Sequence, residues 1–237
     1  MIQLTNYSVF LSGEELLQSI NLTVEAGAFF CLIGESGGGK TLLSKVILDL
    51  LPSKFQTRGT KCCVTEKMEL ILQNPLDSIQ SNVFIRTQFH HLLKSKGIKE
   101  KGIREKMMKR TMHQVGFIDN LTILDNYPYE LSGGMCQKTA LALALVSNPE
   151  IIIADEATSA LDVQSQRTIL TLLQKMNRQA NKTIFFITHD LELVRQFGTH
   201  VGIIKEGCLL ETGKVNDILT HPKNQYTKEL IEIFDDN

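Results

Sequence analysis

The chain has 237 residues, enough for one large domain or two small ones, with ample length for a buried core. It is 43% hydrophobic and 22% charged with a net charge of −1, an ordinary globular composition without the basic excess that nucleic acid selects. The longest unbroken apolar run, residues 140–146, is too short to span a bilayer, and Met1-Ile2-Gln3-Leu4-Thr5 has neither the basic nor the apolar region of a signal peptide, so the expected location is the cytosol.

Residues 2–11 and 16–24 read as strands joined by a turn at Ser12-Gly13-Glu14. After a second turn at Ala26-Gly27, Phe29-Phe30-Cys31-Leu32-Ile33 has the continuous apolarity of a buried strand. Residues 42–48 have helical apolar spacing, and that helix ends by Pro52. Residues 53–67 are polar and read as irregular; residues 68–72 form a short strand that delivers Gln73. Helices are expected at 83–94 and 98–115, the second with Ile103, Met107, Thr111 and Val115 as its inner stripe. The basic stretch from 94 to 110 interleaves with Glu100 and Glu105 and carries no aromatic, which fits a solvated helix face. Ser132 is an N-cap for a helix over 133–147. Strands at 151–154 and 183–188, helices at 163–179 and 192–197, a hairpin at 201–205 and 208–211 around Glu206-Gly207, and a mostly helical tail from 215 to 234 complete the chain. The five cysteines, Cys31, Cys62, Cys63, Cys136 and Cys208, are odd in number and contain no C-x₂-C pair, so they read as reduced thiols.

Between the Phe29–Ile33 strand and its helix lies Gly34-Glu35-Ser36-Gly37-Gly38-Gly39-Lys40-Thr41, which fits the phosphate-binding pattern G-x-x-x-x-G-K-[ST]. Glycines let backbone N–H groups approach phosphate oxygens, and the helix that follows presents its positive dipole end. Lys40 is placed to reach the β and γ phosphates, Thr41 to ligate Mg²⁺, and Leu42 completes the nucleotide-binding segment. Asp155 follows four apolar residues at a strand end, the position of a carboxylate in the Mg²⁺ shell, and Glu156 beside it can polarise an attacking water. Ser132, Gly133, Gly134 and Met135 form a second anion cradle, a hydroxyl and glycine N–H groups at a helix N-terminus.

Leu131-Ser132-Gly133-Gly134-Met135 resembles the LSGGQ signature of ATP-binding-cassette (ABC) ATPases. Other marks of that family follow in order over nearly the whole chain: Gln73 as the Q-loop glutamine and Mg²⁺ ligand, Ser159-Ala160-Leu161-Asp162 as the D-loop at the dimer interface, and His189 as the switch histidine that contacts the γ-phosphate. Met135 replaces the usual signature Gln and Lys138 the common Arg. The resemblance implies an α/β fold of the P-loop NTPase, ABC ATPase type: a RecA-like, mostly parallel sheet core over 1–75 and 140–237, with an N-terminal antiparallel β-subdomain and an inserted helical subdomain over 76–139. It implies ATP and Mg²⁺ as cofactors and Glu156, His189 and Lys40 as the catalytic set. An adenine-stacking aromatic is expected near the first strand, with Phe10 nearest and Tyr7 second.

The implied partners are a second, identical or homologous ATPase subunit in a head-to-tail dimer, two transmembrane permease subunits, and indirectly an extracytoplasmic substrate-binding protein; nucleic acid is not among them. The chain would then sit peripherally on the cytoplasmic face of the membrane. Leu72-Gln73-Asn74-Pro75, Tyr127-Pro128-Tyr129-Glu130 and His221-Pro222-Lys223-Asn224-Gln225-Tyr226-Thr227 are similar to the oligopeptide, dipeptide and nickel importer ATPases. Asn74 and the short tail lean toward the nickel or metal-chelate branch, with peptide import as the alternative; a soluble non-transport ABC ATPase or a regulatory cassette is the rival of another class.

Overall fold

The computed structural model describes residues 1–117, 121–158 and 162–235. Strands β1 (Ile2–Leu11) and β2 (Glu14–Val24) pair antiparallel and begin a three-stranded sheet. Its third strand is β4 (Phe55–Cys63), which pairs with β1 from Leu11↔Phe55 to Ile2↔Cys63. This corrects the expectation of an irregular segment over 53–67. An edge strand whose side chains are mostly exposed has no buried face, so it leaves no apolar alternation to read.

The larger sheet has the order β5-β6-β7-β3-β8-β9. Its members are β3 (Phe29–Ile33), β5 (Met68–Ile71), β6 (Ile151–Asp155), β7 (Thr183–Ile187), β8 (His200–Lys205) and β9 (Cys208–Lys214). All neighbours are parallel except the β8–β9 hairpin. Strands β3, β6 and β7 are buried on both faces, which explains their unbroken apolar runs.

Alternate residues feed two cores. Phe30, Leu32, Ile153, Phe185 and Ile187 join the inner face of the antiparallel sheet and the buried face of α1 (Lys40–Ile47). Phe29, Cys31, Ile33, Ala154 and Phe186 face the opposite layer, which holds α2 (Ile85–Ser95), α3 (Lys101–Gln114), α4 (Gly133–Val146), α5 (Val163–Ala180), α6 (Leu191–Phe197) and α7 (Val215–Thr220). Two phenylalanine pairs mark these layers: Phe30 stacks on Phe185 at 5.3 Å, and Phe29 meets Phe186 edge-on at 6.0 Å. The chain ends in α8 (Gln225–Asp235).

The apolar run at 140–146 is the buried C-terminal half of α4, which packs against α2, α3 and β5. The expected boundary at residue 139 falls inside this continuous helix. In α3 the inner stripe is Met108, Thr111, Met112 and Val115, while Ile103 is exposed; the buried face is displaced from the expected one. Arg86 ties this region together: its guanidinium donates to both Asp125 oxygens (2.6 and 2.9 Å) and to Glu105 (2.9 Å). All five cysteines are free. Burial pushes the Cys31 and Cys136 thiols up, away from the reactive thiolate. No helix among the described residues is long and apolar enough to cross a membrane.

Candidate functional site

The site gathers at the C-terminal ends of the parallel strands, where open α/β sheets bind ligands. The 34–39 loop leaves β3 and enters α1. Gly39, just before α1, has φ 102°, and a Cβ there would lie 2.8 Å from Leu17; a Cβ on Gly34 would lie 2.0 Å from the Ile204 carbonyl oxygen. The loop therefore nests against β2 and β8 only because these residues lack side chains. Gly207 in the β8–β9 turn donates its N–H to the Gly38 carbonyl (3.1 Å) and braces the loop from outside.

Lys40 is buried, and its ammonium donates to the carbonyls of Gly34 (2.9 Å) and Glu35 (2.8 Å). Beside it a cleft of about 520 Å³ is lined by Ser36, Gly37, Lys40, Thr41, Leu42, Gln73, Asp155 and Glu156, with Leu16 of β2 as an apolar wall. The Thr41 hydroxyl, the Gln73 amide and the two carboxylates thus reach one space from three separate segments. Burial raises the Asp155 pKa and the neighbouring Glu156 charge raises it further; the hydrogen bond from Thr41 and the Lys40 charge only partly oppose them. A desolvated carboxylate beside a second one, with a hydroxyl and an amide oxygen at hand, is an all-oxygen donor set suited to a hard divalent cation. Gly37 has φ 80° and would place a Cβ into open space, so the loop presents backbone toward the cleft. Both observations fit a polyphosphate with Mg²⁺.

Glu156 follows β6 in a left-handed conformation (φ 47°) and donates its N–H to Ile187 of β7 (3.1 Å). His189, just beyond β7, places Nδ1 3.8 Å from Glu156 Oε1; its side chain is 64% exposed and that of Glu156 24%. Ser132 caps α4 by accepting from the Met135 N–H (3.4 Å). A Cβ on Gly133 or Gly134 would meet nothing within 4 Å, so no packing among the described residues calls for these glycines. They do not line the cleft that holds Lys40.

Residues 17–159 match the family described as ABC transporter. The chain belongs to the ABC transporter family. Methionine import ATP-binding protein MetN 2 of Acinetobacter baylyi is 34% identical over 98% of this chain and 71% of its own length. Dipeptide transport ATP-binding protein DppD of Lactococcus lactis subsp. cremoris is 31% identical over 96% and 70%. Among solved structures, the ATP-binding cassette MJ0796, described as a dimer in a post-hydrolysis state bound to ADP and Pi, superposes with a TM-score of 0.77 and 26% identity over 91% of this chain and 99% of that one. This ABC protein is an ATPase with ATP and Mg²⁺ as its cofactors.

Within this ABC cassette, Ser36, Gly37, Gly39, Lys40, Thr41, Leu42, Gln73, Asp155 and Glu156 share the cleft, and His189 stands at its edge. Phe10 does not line it: that residue pairs with Glu15 and Gln56 in the antiparallel sheet, and Leu16 occupies the wall instead. Of the expected D-loop, residues 159–161 lie outside the described residues; Asp162 caps α5 by accepting from the Ser165 N–H (2.9 Å), which holds its carboxyl below the usual range. Gln137 was not singled out from the sequence. Its buried amide donates to Ala157 (2.6 Å) and Leu72 (3.4 Å), joining the signature helix to the loops that carry Glu156 and Gln73. A glutamine at the edge of an otherwise apolar helical run was the available signal.

Proposed function

We propose that this cassette is the ATP-hydrolysing subunit of an importer for an amino acid or short peptide. Two such subunits, identical or homologous, close head to tail, so that each nucleotide lies between one 34–41 loop and the opposite Ser132–Met135 segment. The observation that carries this reading is the glycine pair at the start of α4, which no packing among the described residues calls for, at a helix N-terminus that does not line the Lys40 cleft. Bound Mg²⁺ would supply charge neutralisation between the phosphates, held by Thr41, Gln73 and Asp155. Lys40 and His189 hold charge on the transferring group, and Glu156 takes the proton of the attacking water. Differential affinity for the closed dimer is what lets ATP do conformational work.

The permease subunits dock beside Gln73. Support comes from an apolar groove of about 430 Å³ bounded by Asn74, Pro75, Leu76, Tyr129 and Leu131, with Leu76 and Tyr129 exposed. Next to it Phe84 stacks on Tyr127 at 4.1 Å, and Tyr127 on Tyr129 at 5.3 Å. This face joins residues 74–76 to residues 128–131, and docking there would keep the subunit peripheral at the membrane.

The relatives named for methionine and dipeptide move the cargo reading away from nickel or a metal chelate. Uptake of labelled methionine, a dipeptide and nickel, compared in cells with and without this gene, tests the assignment. Loss of methionine or dipeptide uptake is expected. Loss of nickel uptake alone would overturn it.

A further inference from the structure

The start of α8 reaches the phosphate loop, a contact that the cleft residues do not explain. Glu211 of β9 anchors this segment: its carboxylate accepts from the N–H groups of Lys223 (3.0 Å) and Asn224 (3.1 Å). Asn224 in turn accepts from the Tyr226 N–H (2.9 Å). Burial alone would raise the Glu211 pKa, but these two N–H donors and the Lys223 charge outweigh it and hold the carboxyl low. The anchored segment aims the Tyr226 ring at Lys205, whose ammonium sits 4.3 Å from the ring centroid. That ammonium is also 4.0 Å from the Glu35 carboxylate in the phosphate loop. The Tyr226 hydroxyl is buried beside the side chain and backbone of Glu35, without the geometry of a formed hydrogen bond. Burial and the Glu35 charge push its pKa up, so it is a proton donor at neutral pH.

Lys40 donates to the Glu35 carbonyl (2.8 Å) as it does to that of Gly34 (2.9 Å), and phosphate competes for those ammonium donors. The Gly38 N–H (3.1 Å) then remains on the Glu35 carbonyl, and a restraint on the Glu35 side chain adds to it from the opposite side of the loop. We propose that Tyr226 is a positioning residue for the nucleotide site: its ring holds Lys205 beside Glu35, and its buried hydroxyl, unpaired without nucleotide, donates to Glu35 when Lys40 turns to the ligand, so that the 34–39 loop keeps its phosphate-binding shape. The inference rests on the nucleotide-binding reading above.

The test is titration of the full-length chain with a fluorescent ATP analogue and Mg²⁺, for the wild type, Tyr226→Phe, Glu35→Gln and the double variant. Tyr226→Phe keeps the ring over Lys205 and removes only the hydroxyl. Each single change should weaken binding about three- to tenfold, the size of one hydrogen bond, and the double variant should bind no more weakly than the worse single. The melting temperature without nucleotide should stay at the wild-type value. Wild-type affinity in Tyr226→Phe, or multiplied effects in the double variant, would overturn the inference while leaving the site itself intact. Absence of wild-type binding would overturn both this inference and the function beneath it.

Discussion

His189 Nδ1 lies 3.8 Å from Glu156 Oε1, two side chains delivered by neighbouring parallel strands whose ends are in register at Asp155↔Ile187. The separation is too long for a hydrogen bond. It sets both side chains at the edge of the cleft that holds Lys40 and Asp155.

Glu156→Gln keeps the side-chain volume and removes the base. Turnover should fall by at least about 100-fold, the lower range for loss of a general base, while ATP binding and ATP-dependent dimerisation persist. Steady-state hydrolysis with parallel light scattering checks this. Wild-type turnover in the variant would remove Glu156 from the mechanism.

Asp155 carries a raised pKa, so its ionised form is the strained one in the nucleotide-free protein. A group raised in this way favours the fold below its unfolded pKa and loses that contribution as pH rises through its folded pKa. Asp155→Asn should therefore melt no lower than the wild type without ligand at pH 7. It should also lose the extra stabilisation that Mg²⁺ adds to ATP. Thermal melts with ATP, with and without Mg²⁺, give both numbers.

Gly134→Ala places a methyl where nothing lies within 4 Å. Alanine also favours helix over glycine by up to about 1 kcal/mol, so the monomer's melting temperature should hold or rise by about 2–4 °C. ATP hydrolysis should nevertheless fall, because the methyl meets the phosphate of the opposing site. Unchanged hydrolysis would mean that the signature glycines touch no ligand.

Gln137→Leu removes the donors to Ala157 and Leu72 and should cost about 1–3 kcal/mol through the unpaired Ala157 carbonyl. Hydrolysis should drop more than nucleotide affinity, since the loops of Glu156 and Gln73 lose their common tether. Equal losses in kcat and binding would contradict that role.

Lowering pH should loosen the helical layer before the sheet. Arg86 holds the Asp125 carboxyl below its usual range, so this pair contributes above the unfolded carboxylate pKa and fades as pH falls through the lower folded value. Asp125 is largely exposed, so screening keeps the effect below about 1 kcal/mol. Hydrogen exchange in α2 and α3, compared at neutral and acidic pH for the wild type and Arg86→Ala, reads it out.

The phosphate loop, Asp155, Gln73 and the signature were legible because each is a contiguous run whose chemistry and flanks agree. What escaped depends on contacts distant in sequence. β4 has no buried face, so only its pairing with β1 defines it. The inner face of α3 turns on which of several methionines meets α4. Leu16 rather than Phe10 lines the cleft, and Leu17 beside it lies against Gly39, a contact between segments distant in sequence. Tyr226 lies 191 positions after Glu35 in the chain (226 − 35), and no local pattern links them.

The central claim is that the 34–41 loop is half of a composite site. The most direct measurement is the specific ATPase rate of the purified chain across a wide concentration range, with oligomeric state followed in the same samples. The monomer should bind ATP yet hydrolyse it poorly, and the rate per subunit should climb as dimers form. A high rate that stays constant down to concentrations where only monomer is present would contradict it.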